Sequence, residues 1–336
     1  MHAGQPGSAG LLRMNRMNEK EILVIGAGSI GRRHAANLSL LGARVSVFDV
    51  NTALLGEFCK DPRFSAVHDL ESSLKNNRYA AAIVCTPNHL HIPAGQKVAD
   101  ASTDLFIEKP LSHTSDGVAQ LIETVKARGL ICMAGFNLRY EPGLQYIKKI
   151  LKPDDVAFAR IEFGSSLPSW RPGTDYRKSY SANRSMGGGI ILDDVHEIDY
   201  ACWLLGYPDK VLSTCGTFGR LEIDVEDTAE FILQYPDKVA TIHCDYLRKK
   251  YTRRCSICLK NGDTIEWVFG ERVTVHSDAP DTVFAYAGSF NSNDMYIAEM
   301  KEFLACIEQR RTPDSDLKNA AKILAVALEA KGGCSG

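Results

Sequence analysis

Two segments of the chain carry side chains suited to acid–base chemistry, and the first is Glu108-Lys109-Pro110. It directly follows residues 105–107, an apolar run that predicts a central strand. A lysine that the following proline fixes at such a strand end faces a cleft, where its ammonium group can bind a substrate hydroxyl. The alternative interpretation is a solvated charge, or an ion pair between Lys109 and Glu108.

The second segment is a helix that we predict over residues 189–205. Its core-facing stripe consists of Ile191, Val195, Ile198, Cys202 and Leu205. Asp193, His196 and Asp199 recur on another face, so that a histidine base lies one turn from an orienting carboxylate. The alternative is a histidine satisfied on a polar surface. A metal site is disfavoured because no convincing further ligand comes from another element.

A glycine-rich turn near the start of the chain predicts a dinucleotide site. Gly26-Ala27-Gly28-Ser29-Ile30-Gly31 is a G-x-G-x-x-G sequence between the apolar run 22–25 and a helical pattern. Gly26 permits the tight turn, Gly28 lets a pyrophosphate approach the backbone, and Gly31 lets the helix pack closely on the strand. The N–H groups at the start of that helix then face the phosphates.

Asp49 ends the second predicted strand, where a carboxylate accepts hydrogen bonds from both ribose hydroxyls. Its charge repels a 2′-phosphate, which favours NAD over NADP. Arg32 and Arg33 weaken that preference because either could reach a phosphate. An ordinary glycine-rich turn is the alternative, but strand, helix, second strand and acid in this order favour a dinucleotide.

Other strand ends extend this site, because ligands of doubly wound sheets lie beyond the carboxyl ends of the strands. Thr86-Pro87-Asn88 can line the nicotinamide ribose, and His91, one turn further on, faces the same crevice or lies on the helix surface. The predicted cofactor-binding residues are Gly26, Gly28, Ser29, Ile30, Gly31, Asp49, Thr86, Pro87, Asn88, His91, Glu108 and Lys109.

The alternation of apolar runs and helical patterns predicts an α/β fold with two domains. Residues 19–137 form a Rossmann domain with a doubly wound parallel sheet of about six strands. Residues 138–336 form an α+β domain for substrate binding and oligomerisation, with a large, mostly antiparallel open sheet and two closing helices over 293–310 and 315–331. Residues 1–18 are predicted to be a flexible tail.

Composition excludes several classes of protein. The chain has 336 residues and a formal net charge of −2, so no bulk charge attracts nucleic acid or an anionic membrane. No apolar run is long enough to span a bilayer. Its ten cysteines are scattered, and we expect reduced thiols in a cytoplasmic protein. Those within apolar patterns are Cys85, Cys132, Cys202, Cys215, Cys244 and Cys306. The single C-x-x-C, Cys255 to Cys258, lies in a strand pattern and lacks partners at zinc spacing.

These segments, together with Asn137-Leu138-Arg139-Tyr140 and Gly187-Gly188-Gly189, resemble the Gfo/Idh/MocA family from about residue 20 onward. The resemblance implies NAD(P)-dependent hydride transfer at a secondary carbinol of a sugar, inositol or sugar derivative, in a homodimer or homotetramer built on the open sheet. It implies that Lys109 and His196 are catalytic, with Asp193 as the nearby aspartate. Many relatives place that aspartate four residues before the histidine; here the gap is three for Asp193 and two for Asp194.

The loop over residues 170–180 precedes the predicted catalytic helix and indicates what kind of substrate binds. It carries two arginines, a lysine and three aromatic residues, which suit an anionic or nucleotide-linked sugar, as in surface-glycan biosynthesis. The alternative is a loop that covers the cofactor or packs on another subunit. The predicted substrate-binding residues are Arg139, Arg171, Tyr176, Arg177, Asp193 and His196.

Two competing functions stay open. One is a reductase or dehydrogenase of a non-sugar compound, which the polar helix and arginine-rich loop disfavour. The other is a non-catalytic regulator that senses a dinucleotide on the same fold. The presence of both Lys109 and His196 favours catalysis over that second alternative.

Overall fold

The computed structural model describes residues 20–286 and 288–334, so the predicted tail over residues 1–18 lies outside the described residues. A six-stranded sheet forms the first half of the fold. Its strands are β1 (Glu21–Ile25), β2 (Arg44–Phe48), β3 (Phe64–Val67), β4 (Ala81–Val84), β5 (Leu105–Glu108) and β6 (Cys132–Gly135). The helices between them are α1 (Ser29–Leu40), α2 (Thr52–Phe58), α3 (Leu70–Asn76), α4 (His91–Asp100) and α5 (Val118–Ala127).

The strands of this sheet are all parallel, in the order β3-β2-β1-β4-β5-β6, which confirms the predicted Rossmann sheet. Leu23 and Ile25 of β1 belong to one hydrophobic cluster, whereas Ile22 and Val24 belong to the other. Burial on both faces explains why these strands are continuous apolar runs. The strand order reverses between β1 and β4, and the crevice outside their carboxyl ends is where such folds bind ligands.

An eight-stranded sheet forms the second half. Its strands are β7 (Val156–Gly164), β8 (Lys210–Gly216), β9 (Thr228–Gln234), β10 (Val239–Asp245), β11 (Thr252–Leu259), β12 (Thr264–Val268), β13 (Arg272–His276) and β14 (Thr282–Ala285). The order is β14-β13-β12-β11-β7-β10-β9-β8, with β7 and β10 as its parallel pair and antiparallel pairing elsewhere. The mostly antiparallel sheet is therefore confirmed, although we did not predict β14.

Two helical segments of the chain are interrupted, one of which we predicted as continuous. A 3₁₀ turn over Asn137–Tyr140 precedes α6 (Pro142–Ile150), because the Glu141 side chain caps the new helix at the Leu144 N–H. The predicted helix over 189–205 is split into α7 (Ile190–Asp193) and α8 (His196–Leu205). Between them Asp194 has φ −113° and ψ 42°, which is not helical.

The last two helices, α9 (Asn293–Gln309) and α10 (Leu317–Gly332), tie the two halves together. Met300 and Phe303 of α9 belong to the same hydrophobic cluster as Ile22 and Val24 of the first sheet. Helix α10 packs against β8 of the second sheet and also contacts β6 of the first. Neither helix, nor any other within the described residues, has the length and apolar character needed to cross a membrane.

One cysteine prediction was wrong. Cys215 of β8 is not a free thiol, because it forms a disulfide with Cys334, just beyond the end of α10. The two Cα atoms lie 4.6 Å apart, within the range that a disulfide bridges, although 119 residues separate the cysteines in sequence. Packing of α10 against β8 creates this proximity, which no local sequence pattern indicates. The remaining cysteines are free, as predicted.

Candidate active site

A cavity of about 910 Å³ is lined by the carboxyl ends of the first sheet's strands and by the loop over residues 170–180. Every predicted cofactor-binding residue except Gly31 lines this cavity. Of the predicted substrate-binding residues, Arg171 and Asp193 line it, whereas Arg139, Tyr176, Arg177 and His196 do not. Five of the predicted site residues therefore lie outside the lining of the cavity, and the others share it.

The glycine turn has the shape of a phosphate cradle. A Cβ on Gly26 would lie 2.5 Å from the Cys85 carbonyl oxygen, and one on Gly31 would lie 1.9 Å from the Gly26 carbonyl oxygen. A Cβ on Gly28, in contrast, would meet no heavy atom within 4 Å among the described residues, so this part of the backbone is open to a ligand. Gly28 also begins α1 without a side-chain cap. The helix therefore offers free N–H groups to a pyrophosphate.

Asp49 lies at the far end of this cradle and lines the cavity. One carboxylate oxygen accepts a hydrogen bond from the Ala27 N–H at 2.7 Å, and the other from the Asn51 N–H at 2.8 Å. The carboxylate is thus held in place as an acceptor. Arg33 also lines the cavity and stacks on Tyr296, whereas Arg32 lies over the ring of Phe58.

His91 joins two strand ends at the floor of the cavity. It is buried, and its Nδ1 and Nε2 each lie 2.7 Å from a carbonyl oxygen, those of Pro110 and Thr86. Burial lowers the pKa of His91. Nearby, the Asn88 amide donates to the Gly187 carbonyl at 2.9 Å. His91 therefore lines the cavity rather than the helix surface, and holds the Thr86 segment against the segment of Lys109.

Lys109 reaches across the cavity to the second half of the fold. Its Nζ donates to the backbone carbonyl of Asp193 at 2.5 Å. The alternative ion pair with Glu108 does not form: one Glu108 oxygen lies 2.5 Å from His34 Nε2 and the other accepts from the Lys109 backbone N–H. The Lys109 ammonium group can consequently replace its partner, the Asp193 carbonyl, with a substrate oxygen.

Asp193 and His196 do not form the predicted hydrogen-bonded pair. The Asp193 carboxylate accepts from the Tyr246 hydroxyl at 2.8 Å, and the break at Asp194 takes His196 off the helical face of Asp193. His196 is buried, and its Nδ1 has no hydrogen-bond partner within the described part of the chain. Burial lowers the pKa of His196 well below its ordinary value, and the charges of Lys109 and Arg253 lower it further. The imidazole is therefore held in its neutral form.

The structure shows which of the two aspartates, Asp193 or Asp194, faces the cavity. Asp193 lines it, whereas Asp194 pairs with the buried Arg253 at 2.5 Å. Arg253 also pairs with Glu197 at 2.8 Å, and burial raises the pKa of Glu197. Asp194, the residue that pairs with Arg253, is also the residue at which α7 ends in a non-helical conformation.

Three predicted substrate-binding residues have other partners in the structure, and none of the three lines the cavity. Arg139 is buried and pairs with Asp199 at 2.6 Å. Arg177 is exposed and pairs with Asp175 at 2.8 Å and with Glu222 at 2.7 Å. The Tyr176 hydroxyl accepts from the Glu222 N–H. In each case an acidic residue or a backbone group of the protein engages the side chain.

Some cavity residues were missed. Lys178 and Tyr180 line the cavity from the predicted loop, and Tyr246 holds Asp193 from the end of β10. The signal for Tyr246 was its place directly after a strand, at the edge where functional side chains gather. The composition of the loop indicated the correct segment, but it did not indicate which of its side chains line the cavity.

Comparison with known families gives two matches. Residues 20–136 match the GFO/IDH/MocA model described as an oxidoreductase family with an NAD-binding Rossmann fold. Residues 155–272 match a GFO/IDH/MocA C-terminal domain model. Together these cover both halves of the fold.

Individual relatives are distant. The chain is 23% identical to myo-inositol 2-dehydrogenase of Thermotoga maritima, over 92% of this chain and 94% of that protein. It is 25% identical to levoglucosan dehydrogenase of Pseudarthrobacter phenanthrenivorans, over 60% of this chain and 55% of that protein. The match to several curated relatives thus spans only about half of their length.

Solved structures share the fold. UDP-N-acetylglucosamine 3-dehydrogenase from Acidithiobacillus ferrooxidans aligns with a TM-score of 0.80 at 21% identity, covering 94% of this chain and 97% of that chain. A levoglucosan dehydrogenase in complex with NADH and levoglucosan aligns with a TM-score of 0.84 at 18% identity, covering 94% and 96%. At these identities the likeness is one of architecture.

Proposed function

The chain belongs to the Gfo/Idh/MocA family of oxidoreductases, and from this premise we propose that it transfers a hydride between NAD and a secondary carbinol of a sugar or sugar derivative. The observation that carries the proposal is the position of Lys109. Its ammonium group lies in the same cavity as the phosphate cradle and Asp49, against the backbone of Asp193. The cavity thus has both a dinucleotide end and an acid–base end.

The cofactor end fits NAD. The open backbone at Gly28, the uncapped start of α1 and the fixed carboxylate of Asp49 would hold the pyrophosphate and the ribose. Thr86, Pro87 and Asn88 continue the lining toward Lys109. When bound, the nicotinamide accepts or donates the hydride. The Asp49 charge supports NAD over NADP.

The protein's own residues handle the proton and the substrate oxygen. Lys109 donates a hydrogen bond to the reacting oxygen and stabilises the negative charge that develops there as its proton leaves. Neutral His196 takes that proton during oxidation and returns it during reduction. Asp193, fixed by Tyr246, accepts a hydrogen bond from a second substrate hydroxyl. General acid–base assistance of this kind contributes about 10²- to 10⁴-fold in rate.

We propose the expected division into a Rossmann domain over 19–137 and a second domain over 138–336, with helix α9 packed back on the first.

The outer face of the eight-stranded sheet would join subunits into a homodimer or homotetramer. Support comes from partly exposed apolar side chains that are neighbours across β8, β9, β10 and β7. These are Leu212, Ile232, Val239 and Phe158. Light scattering coupled to gel filtration measures the subunit count.

We place the protein in the cytoplasm, in line with its free cysteines, to which Cys215–Cys334 is the exception.

The experiment that tests the activity measures the change in nicotinamide absorbance with NAD(H) and NADP(H). The panel contains aldoses, inositols, sugar acids and nucleotide sugars. Turnover of any member that requires Lys109 supports the proposal. Tight NAD binding without turnover of any member contradicts it and favours a regulator.

A further inference from the structure

Arg171 is a cation without an acidic partner inside the cavity. Its guanidinium lies 4.9 Å from the centre of the Tyr180 ring, which holds it over an aromatic face. Within the described residues no carboxylate forms an ion pair with it. Arg177, six positions along the same loop, shows the contrast, because Asp175 and Glu222 neutralise it outside the cavity lining. The loop therefore presents one free guanidinium to the cavity.

Contacts locate Arg171 at the acid–base end rather than at the ribose end. Burial raises the pKa of Tyr180, the Asp193 carboxylate raises it further, and Arg171 lowers it, so this hydroxyl lies between the two charged groups. Asp193 in turn contacts Lys109 through its carbonyl oxygen. Arg171 is thus two side chains away from Lys109, whereas Asp49 marks the opposite end of the cavity.

A second cation faces the same space. Lys178 lines the cavity and, like Arg171, forms no ion pair among the described residues. Asp175 also lines the cavity, where it pairs with Arg177 and also feels the charge of Lys178. The Asp193 carboxylate accepts from Tyr246, and Lys109 contacts only the Asp193 backbone carbonyl. The substrate side of the cavity consequently carries two cations, Arg171 and Lys178, that form no ion pair among the described residues.

We propose that the substrate carries an anionic group, a carboxylate or a phosphate, and that Arg171 and Lys178 bind it. This inference rests on the proposed function and narrows it. A guanidinium held over an aromatic ring still presents paired N–H donors, which match the two oxygens of a carboxylate or phosphate. A neutral sugar leaves both cations without a counter-charge.

The test uses pairs of sugars with and without an anionic group, with the full-length protein saturated with NAD. The pairs are glucose with glucuronate, glucose with glucose 6-phosphate, and N-acetylglucosamine with UDP-N-acetylglucosamine. We expect kcat/KM to be about tenfold or more higher for an anionic member, since hydrogen bonds to charged groups are the strong ones. The carboxylate and phosphate pairs separate the two sources of charge. Turnover that favours the neutral members overturns the inference and leaves the proposed function intact.

Binding is measured alongside turnover by thermal stabilisation of the NAD-loaded protein with the same pairs. Stabilisation by anionic members alone, without turnover, supports the inference while it contradicts the proposed function. Equal stabilisation by both members of every pair, or none by the anionic members, overturns the inference.

Matched variants assign the effect to residues. Arg171→Met and Lys178→Met should each remove the preference for charge, Arg171→Lys should retain part of it, and Arg177→Met is the control that keeps it. NADH affinity, measured by fluorescence, should be the same in all four. If Arg171→Met weakens NADH binding as much as substrate binding, the guanidinium holds the cofactor and the inference fails.

Discussion

Lys109 Nζ lies 2.5 Å from the carbonyl oxygen of Asp193, so a side chain at the end of β5 is bonded to the last residue of α7. A carbonyl at a helix end has no partner within its helix, and the ammonium group supplies one. The bond connects the dinucleotide half of the cavity to the half that Asp193 lines. A substrate oxygen that enters between them takes over one donor of Lys109, which has three.

The acid limb of the pH profile should reflect His196. Because burial and the charges of Lys109 and Arg253 lower its pKa well below 6.5, the base stays neutral as pH falls through that value. We expect kcat/KM for oxidation to be flat across pH 6.5 and to fall only at lower pH. His196→Asn should lower kcat by about 10²- to 10⁴-fold. A wild-type midpoint at or above 6.5 would show that the imidazole is not held in this environment.

Asp49 should determine the choice of cofactor. Asp49→Ser removes the charge that opposes a 2′-phosphate, and also one hydrogen-bond acceptor of the Ala27 N–H. The ratio of the Kd for NADP to the Kd for NAD should fall by about tenfold or more, mainly through weaker NAD binding. Fluorescence titration with NADH and NADPH measures both constants. An unchanged ratio would assign cofactor choice to Arg33 instead.

Glu299 should make the protein less stable at alkaline pH. Its carboxyl group is fully buried on α9, and neither oxygen has a hydrogen-bond partner among the described residues. Burial raises its pKa well above 4.5, the charges of Glu108 and Asp199 raise it further, and Arg139 opposes them. The other ionisable groups that face it are His34, Cys85, Tyr140 and Tyr296.

The sign follows from proton binding. Above the unfolded pKa the unfolded chain loses the Glu299 proton while the folded protein keeps it, so the free energy of unfolding decreases as pH rises. Glu299→Gln cannot ionise, and its stability relative to wild type should increase between about pH 5 and about pH 8. Urea unfolding measures the difference. Glu302→Gln is the control: a hydrogen bond from Arg311 lowers that pKa, so its stability difference from wild type should change only below pH 4.5 and stay flat over this range. A pH-independent difference for Glu299→Gln would mean that the buried group is ionised.

Arg139 should be a structural residue. Arg139→Met leaves Asp199 buried without its counter-charge, which typically costs about 3–5 kcal/mol. We expect that loss in urea unfolding, with KM and kcat per folded molecule close to wild type. A stable variant with a raised substrate KM would instead show that Arg139 belongs to the substrate site.

Regular patterns in the sequence predicted the parts of the fold that depend on local physics. The apolar run that ends at Gly26 and the acid at Asp49 placed β1 and β2, because buried parallel strands need continuous apolar residues. The glycine spacing predicted the start of α1, because the tight turn at Gly26 and the close helix–strand packing at Gly31 both need glycine. Lys109 was found because a strand end is a fixed place in a doubly wound sheet.

The features that prediction missed depend on contacts between distant segments. Asp193 and His196 were expected on one helix, but the intervening Asp194 is not helical and pairs with Arg253, 59 residues further along the chain. Arg139 was expected in the cavity, and its partner Asp199 lies 60 residues away. Periodicity carries no information about such pairs. The sequence therefore predicted which residues follow the strand ends, but not how the other site residues are arranged.

The proposed mechanism depends most directly on Lys109, and the decisive measurement separates its effect on turnover from its effect on cofactor binding. Lys109→Met should lower kcat by about 10²-fold or more on any substrate that the wild type oxidises, with the Kd for NADH unchanged. Lys126→Met, an exposed lysine on α5, is the matched control and should behave as wild type. Turnover in Lys109→Met close to that of the control would contradict the proposal that this lysine acts on the reacting oxygen.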